Sequence, residues 1–305
     1  MKLPFYRSIQ KELERVNVAL HQVFEEEKEL KIKEVLTYLL DTPGKRLRPA
    51  LCILSYKGCF ENESPVPDAV IKIATSLELL HMASLVHDDA IDHADIRHNA
   101  PSIYKKWGNE VAIAMGVYLY SRSLSLIASV GNIDVLDRIS VTVTQLCQGE
   151  LTQVMNRGEV NLSIAAYLDI LEKKTGILFA TACECGVLLG GGTSGYRADL
   201  KDYGTTLGVI FQIIDDYMDI MGNEKELKKE PGQDFELGEI TLPLLYLLET
   251  CAPDERAGLI QLIEKQNPES LNTLKVKVKD SESDHKTKLL ALDYIKKSQD
   301  SVNAT

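Results

Sequence analysis

The sequence predicts an all-α protein, a single-domain bundle of about 10–13 helices. Three observations carry that expectation. Apolar residues recur at spacings of three and four along almost the whole chain, the period of one helix face. Strand-type alternation is scarce. The periodic segments are broken by short Pro/Gly clusters, with no linker, short repeat or low-complexity block between them. The 305 residues therefore read as one domain, 1–305.

The periodicity places helices over about 5–27, 30–40, 46–58, 66–92, 108–129, 133–157, 163–190, 197–222, 240–250, 254–265, 268–279 and 283–299. Asp41-Thr-Pro-Gly44, Glu63-Ser-Pro-Val-Pro67, Ala100-Pro101-Ser102, Asn156-Arg-Gly158 and Gly190-Gly-Gly-Thr-Ser-Gly195 mark the clearest breaks. The segments 66–92, 163–190 and 197–222 are apolar on nearly every face and belong at the centre of a bundle. The amphipathic first helix and the charged C-terminal ones belong outside.

Bulk composition narrows the function. Hydrophobic residues make up 45% of the chain, enough for a sizeable core. The net charge of −11 argues against general nucleic-acid binding. Cys52, Cys59, Cys147, Cys183, Cys185 and Cys251 include no metal-type spacing and read as reduced, mostly buried thiols of a cytoplasmic protein. The start lacks a signal-type apolar region. No run of 18 uncharged apolar residues occurs, so no membrane-spanning helix is expected.

The most telling pattern is a repeated acidic motif. Asp88-Asp89-Ala-Ile-Asp92 and Asp215-Asp216-Tyr-Met-Asp219 each end a long apolar pattern. At this Asp usage one accidental copy is expected roughly 0.1 times. A solvated acidic face fits poorly, because Leu85-Val86 and Ile213-Ile214 lead into the motifs. Residues i and i+4 share a helix face, so Asp88 stands over Asp92 and Asp215 over Asp219. Carboxylates gathered in an apolar setting stay ionised only with cations between them. Hard oxygen donors suit Mg²⁺, which commonly brings a phosphate group. Asp88, Asp92, Asp215, Asp216 and Asp219 are the candidate metal ligands.

Basic and polar groups complete a diphosphate chemistry. Gly44-Lys45-Arg46-Leu47-Arg48-Pro49 opens a helix with three cations, and a helix N-terminus already attracts anions. Lys45 and Arg48 can hold a second diphosphate without carboxylates. His81 lies two turns before Asp88 on the same side and can donate to a phosphate oxygen, whereas His87 points elsewhere and reads as structural. Arg97 and His98 follow the first motif. Lys174 and Thr175 lie in an apolar helix, where a cation is costly unless it meets an anion. Gln212 precedes Asp215 by about one turn, and Lys229 follows the second motif across a loop.

Together these residues resemble the trans-polyprenyl diphosphate synthase family. Its pattern includes Gly-Lys-Arg-x-Arg-Pro, His-x-Ala-Ser-Leu-Val-His before the first Asp-rich motif, Lys-Thr, and Phe-Gln-x-x-Asp-Asp-x-x-Asp, in the order found between about residues 40 and 245. The resemblance implies an α-helical bundle around a central cavity, usually a homodimer. It implies condensation of isopentenyl diphosphate onto an allylic diphosphate, with on the order of two to three Mg²⁺ ions. Asp88, Asp89, Asp92, Arg97, Lys174, Asp215 and Asp216 would carry catalysis. Lys45, Arg48, His81, Arg97, His98, Lys174, Thr175, Gln212 and Lys229 would bind substrate. By analogy the released diphosphate removes the proton, so no side-chain base is needed. A long greasy product would bring transient contact with a membrane surface.

Three departures from the family pattern stand out. His98 occupies the second of two positions usually held by Arg, which predicts weaker isopentenyl diphosphate binding that worsens as pH rises. Gly116-Val117 replaces a frequent Gly-Asp, so some supporting polar contact is absent. The family commonly continues with a further C-terminal helix. By resemblance, Ala83 and Ser84 form the floor of a product tunnel; being small, they leave it open to products beyond fifteen carbons, C20 or longer. A regulatory or weakly active subunit of a hetero-oligomeric synthase is the main alternative. A class I terpene cyclase fits less well, because it has no use for the Lys45–Arg48 clamp.

Overall fold

The computed structural model describes residues 4–41, 44–61, 64–97, 99–222 and 231–303. Apart from one short hairpin, the described residues form helices, turns and loops, as the all-α reading requires. They group into two compact units, Met1–Val141 with Thr181–Lys201, and Thr142–Ala180 with Asp202–Thr305.

In the first unit, a 3₁₀ turn over Pro4–Ile9 leads into α1 (Gln10–Glu25), α2 (Leu30–Asp41) and α3 (Leu47–Lys57). The 24-residue α4 (Asp68–Ile91) follows, then a hairpin of β1 (Ile96–Arg97) and β2 (Ala100–Pro101), α5 (Ile103–Trp107) and α6 (Asn109–Val130). α4 packs against α1, α3 and α6. It buries Val70, Ile73, Leu77 and Leu79 together with Leu20, Ile53 and Leu119 of its neighbours. Ser102 caps α5 by accepting the Lys105 N–H, and Gly131 ends α6 in the left-handed region. The hairpin and α5 lie in a stretch where the sequence showed only a break. With two residues per strand, β1 and β2 are too short to print an alternating pattern.

α7 (Ile133–Met155), α9 (Ile177–Gly190) and α10 (Ser194–Met221) each contribute to both units. The second unit adds α8 (Ile164–Leu171), α11 (Gln233–Glu236), α12 (Leu242–Thr250), α13 (Pro253–Glu264), α14 (Pro268–Asp280) and α15 (Glu282–Asn303). Its core joins Tyr167, Leu171, Val209, Ile213, Phe235, Leu244, Leu247, Leu271, Leu274 and Val278. Proline at the start of α12, α13 and α14 suits a position whose N–H has no partner in the helix.

Three sequence expectations change. The segment expected as one helix over 163–190 is interrupted by a π-turn, Glu172–Gly176, between α8 and α9. α10 is amphipathic rather than apolar all round, exposing Lys201, Asp202 and Asp215 while burying Leu200, Val209, Ile210 and Ile213. Only three of the six cysteines, Cys52, Cys183 and Cys185, are buried, and Cys147 is exposed. By length and composition alone α4 and α6 are apolar enough to cross a membrane, although 67% of the α4 window is buried within the protein.

Candidate active site

In the first unit the acidic motif closes α4. Asp88 and Asp92 are half-buried, and Asp89 is 3% exposed. The Asp92 N–H donates to the Asp88 carbonyl at 2.8 Å. His93 then takes a left-handed φ of 51°, and the chain turns back through the hairpin, with Ile96 facing Pro101 and Arg97 facing Ala100. This reversal brings Arg97 against the motif. Its Nε and Nη2 both donate to Asp89 Oδ1, at 2.8 and 2.5 Å. Burial works to lower the Arg97 pKa, but the carboxylates of Asp89, Asp88 and Asp92 outweigh it and raise it.

The basic segment before α3 divides by role. Arg46 sits at a φ of 52°, and its Nη1 donates to Glu78 Oε1 at 2.8 Å while Nε donates to Asn17 Oδ1 at 3.1 Å. Glu78 is 3% exposed, so this pair ties the segment to α4 from within. Removing one partner of such a buried pair costs about 3–5 kcal/mol. Lys45 is exposed, and Tyr6 donates to its backbone carbonyl. Burial lowers the Arg48 guanidinium to about 10, opposed by Glu78, and leaves it cationic at neutral pH. His81 is half-buried on α4, and Ser84 Oγ donates to its carbonyl at 2.9 Å. Ala83 is 4% exposed. His87 donates to the Ile113 carbonyl at 3.1 Å and covers Gly116, where an added Cβ would lie 2.1 Å from His87 Nε2. That contact gives His87 and Gly116 a packing role, while Val117 is 56% exposed.

In the second unit the π-turn gathers the polar groups. One extra residue in a helical turn re-aims the side chains that follow it. Lys174 Nζ pairs with Glu150 Oε2 of α7 at 2.8 Å. Thr175 Oγ1 donates to Gln212 Oε1 at 3.0 Å, and Gln212 Nε2 donates to Asp216 Oδ1 at 2.7 Å. Tyr167 Oη donates to Asp216 Oδ2 at 2.5 Å. Both Asp216 oxygens are thus engaged. Burial raises the Asp216 pKa to about 7; the bonds from Tyr167 and Gln212 oppose the rise, and Asp215 and Glu239 add to it. Asp219 is 1% exposed and accepts the Asp234 N–H at 3.1 Å, whereas Asp215 is exposed. Burial lowers the pKa of Lys275, and nearby Asp219 pulls it back up. Glu239 pairs with Arg157 at 3.1 Å and lines a small cavity with Gln153, Tyr167, Gln212 and Asp216.

The donor set of both motifs is hard carboxylate oxygen, which fits Mg²⁺ that retains several waters. Asp88 and Asp92 are the accessible donors of the first motif and Asp215 that of the second. Among the described residues no three His, Cys, Asp or Glu side chains form a ready-made metal cage. His98 and Lys229 lie outside the described residues.

Sequence reasoning missed Glu78, Glu150, Tyr167 and Glu239. Glu78 carried a usable signal, a lone carboxylate inside Leu77-Glu-Leu-Leu80 that has to find a partner. Glu150 follows Gly149, which marks a close helix approach. Tyr167 carried none, since it meets Asp216 only through tertiary packing.

Comparisons with known proteins give the family. The polyprenyl synthetase family model matches residues 29–280. The chain is 38% identical over 224 residues to heptaprenyl diphosphate synthase component 2 of Geobacillus stearothermophilus, covering 73% of this chain and 67% of that one. It is 31% identical over 253 residues to octaprenyl diphosphate synthase of Escherichia coli (strain K12), covering 83% and 76%. The crystal structure of a polyprenyl synthase from Caulobacter crescentus CB15, complexed with calcium and isoprenyl diphosphate, superposes with a TM-score of 0.90 at 28% identity, covering 98% of this chain and 90% of that one. The chain belongs to the polyprenyl synthetase family.

Proposed function

We propose that this prenyltransferase condenses isopentenyl diphosphate with an allylic diphosphate, in a Mg²⁺-dependent reaction, to a trans-polyprenyl diphosphate of C20 or longer. Prenyl transfer itself follows from the family. The observation that carries the finer reading is the Arg97 guanidinium set among Asp89, Asp88 and Asp92. A cation already held beside carboxylates is placed to meet the oxygens of a leaving diphosphate when they arrive. Asp88 and Asp92 of the first motif and Asp215 of the second are the accessible donors that would hold Mg²⁺, while Asp216 and Asp219, buried and hydrogen-bonded, would join them only by giving up those bonds. When bound, the metal supplies positive charge to the departing diphosphate.

The chain's own residues do the rest. In the first unit Arg97 is placed to neutralise the leaving group as its C–O bond breaks, with Asp89 keeping it in place; in the second unit Lys174 supplies a diphosphate-binding cation. Glu150 holds Lys174, and the Thr175–Gln212 bond orients the Asp216 carboxylate. Lys45, Arg48 and His81 hold the diphosphate that stays. Apolar walls keep water from the allylic cation. Incubation with Mg²⁺, isopentenyl diphosphate and allylic primers of several lengths, read by product mass, tests this. Products spaced by five-carbon units support it, and no product from any primer refutes it.

A second reading has a specific support. The Geobacillus relative is named as one component of a synthase. Val117 and Ile113, one turn apart on α6, are exposed apolar residues. Either a second copy in a homodimer or a different partner subunit would cover them. Light scattering of the purified chain, run beside the activity assay, separates the two: an active dimer favours the homodimer, and an inactive chain favours the partner subunit.

A further inference from the structure

The hairpin that carries Arg97 has two residues in each strand, and an isolated ribbon of that length does not hold its own shape in water. Several of its bonds tie the segment only to itself. Ser102 N–H donates to the Asp95 carbonyl at 2.9 Å, Ser102 Oγ donates to the Ala94 carbonyl at 2.5 Å, and Lys105 pairs with Asp95 at 2.7 Å. An anchor from elsewhere in the fold comes from α2. Tyr38 Oη donates to the Pro101 carbonyl at 2.6 Å. Pro101 is the residue that faces Ile96 across the hairpin, and Ile96 precedes Arg97. The Tyr38 ring also meets Trp107 edge-on, with centroids 5.1 Å apart and planes at 75°. The Lys106 ammonium lies 4.0 Å from the Tyr38 ring centre and 4.3 Å from that of Trp107, a cation–π arrangement on both rings. The segment is therefore fastened at β2 and at α5.

We propose that Tyr38 is a positioning residue for prenyl transfer: by gripping β2 from α2 it keeps the neighbouring strand in the register that lays Arg97 on the first acidic motif. Tyr38 touches no reacting group in this scheme. Its effect passes through Pro101 and the hairpin to Arg97, and the proposal rests on Arg97 contacting the leaving diphosphate.

The test is a double-mutant cycle of Tyr38→Phe and Arg97→Ala in the full chain. Trp107 is the chain's single tryptophan, so acrylamide quenching of its emission reports the clamp directly. Tyr38→Phe removes the Oη bond and keeps the ring. It should raise KM for the allylic diphosphate about fivefold, the effect of one lost hydrogen bond. KM for isopentenyl diphosphate should move less than about twofold, and Trp107 quenching should stay near the wild-type value, because the edge-on ring contact remains. In the Arg97→Ala background Tyr38→Phe should add nothing. A Tyr38→Phe enzyme indistinguishable from wild type, or one whose effect multiplies with that of Arg97→Ala, overturns the proposal while leaving the function intact. A wild-type chain with no turnover overturns the functional reading and this proposal with it.

Discussion

The same substitution, Gly to Ala within a helix, should act in opposite directions at two positions. Gly149 lies in α7 where it crosses the π-turn. A Cβ added there would stand 2.7 Å from the Lys174 backbone nitrogen and 3.0 Å from the Lys173 carbonyl carbon. Backbone cannot rotate away, so the two segments have to separate. Overpacking of this kind costs about 1–3 kcal/mol, and contact with backbone places Gly149→Ala at the upper end. Replacing Gly by Ala in a helix returns about 1 kcal/mol, leaving a net loss of about 2 kcal/mol, or about 4 °C in Tm. The separation also disturbs the 2.8 Å Lys174–Glu150 pair and the Thr175–Gln212 bond, so KM for the allylic diphosphate should rise. Gly258 of α13 meets nothing within 4 Å of an added Cβ. Gly258→Ala should therefore gain about 1 kcal/mol, roughly 2 °C, with unchanged kinetics. Thermal melts of both variants, with steady-state kinetics alongside, decide the matter. A Gly149→Ala protein as stable as Gly258→Ala would refute the crossing argument.

Other consequences can be checked directly. Ala83→Tyr should shorten the product, read by mass, whereas an unchanged product distribution would remove Ala83 from the tunnel floor. His98→Arg should lower KM for isopentenyl diphosphate, with the larger gain at higher pH, where a neutral imidazole gives no charge to a diphosphate; an unchanged KM across pH would count against it. Burial lifts the Cys183 thiol to about 12 and those of Cys52 and Cys185 also upward, while Cys147 is exposed. Because only the thiolate attacks, alkylation of the native protein at pH 8 should label Cys147 first. Cys52, Cys183 and Cys185 should react only after denaturation, and early labelling of Cys183 in a peptide map would contradict the packing.

The helical class, most helix limits and the two acidic motifs were legible in the sequence, because each is a local property. Periodicity, breakers and the Asp spacing all lie within a few residues of one another, and one α-helix converts that spacing into a shared face. The family resemblance rested on the same local strings. The roles within those strings were not legible. Lys45, Arg46 and Arg48 look alike as a basic run, yet Arg46 turns inward because Glu78, thirty-two positions away, is buried on α4. Arg97 lies against Asp89 because the chain reverses at a hairpin whose strands have two residues each, too short to leave a pattern. The π-turn that carries Lys174 and Thr175 meets α7 at Gly149, so closely that a Cβ there would lie 2.7 Å from the Lys174 nitrogen. Asp216 is held by a tyrosine forty-nine positions away in sequence. The sequence by itself determined which chemical groups this protein brings to diphosphate chemistry. Only the tertiary structure decided which charges pair internally and which are held at the acidic motifs, since pairing depends on burial and approach distance between segments that local spacing does not encode.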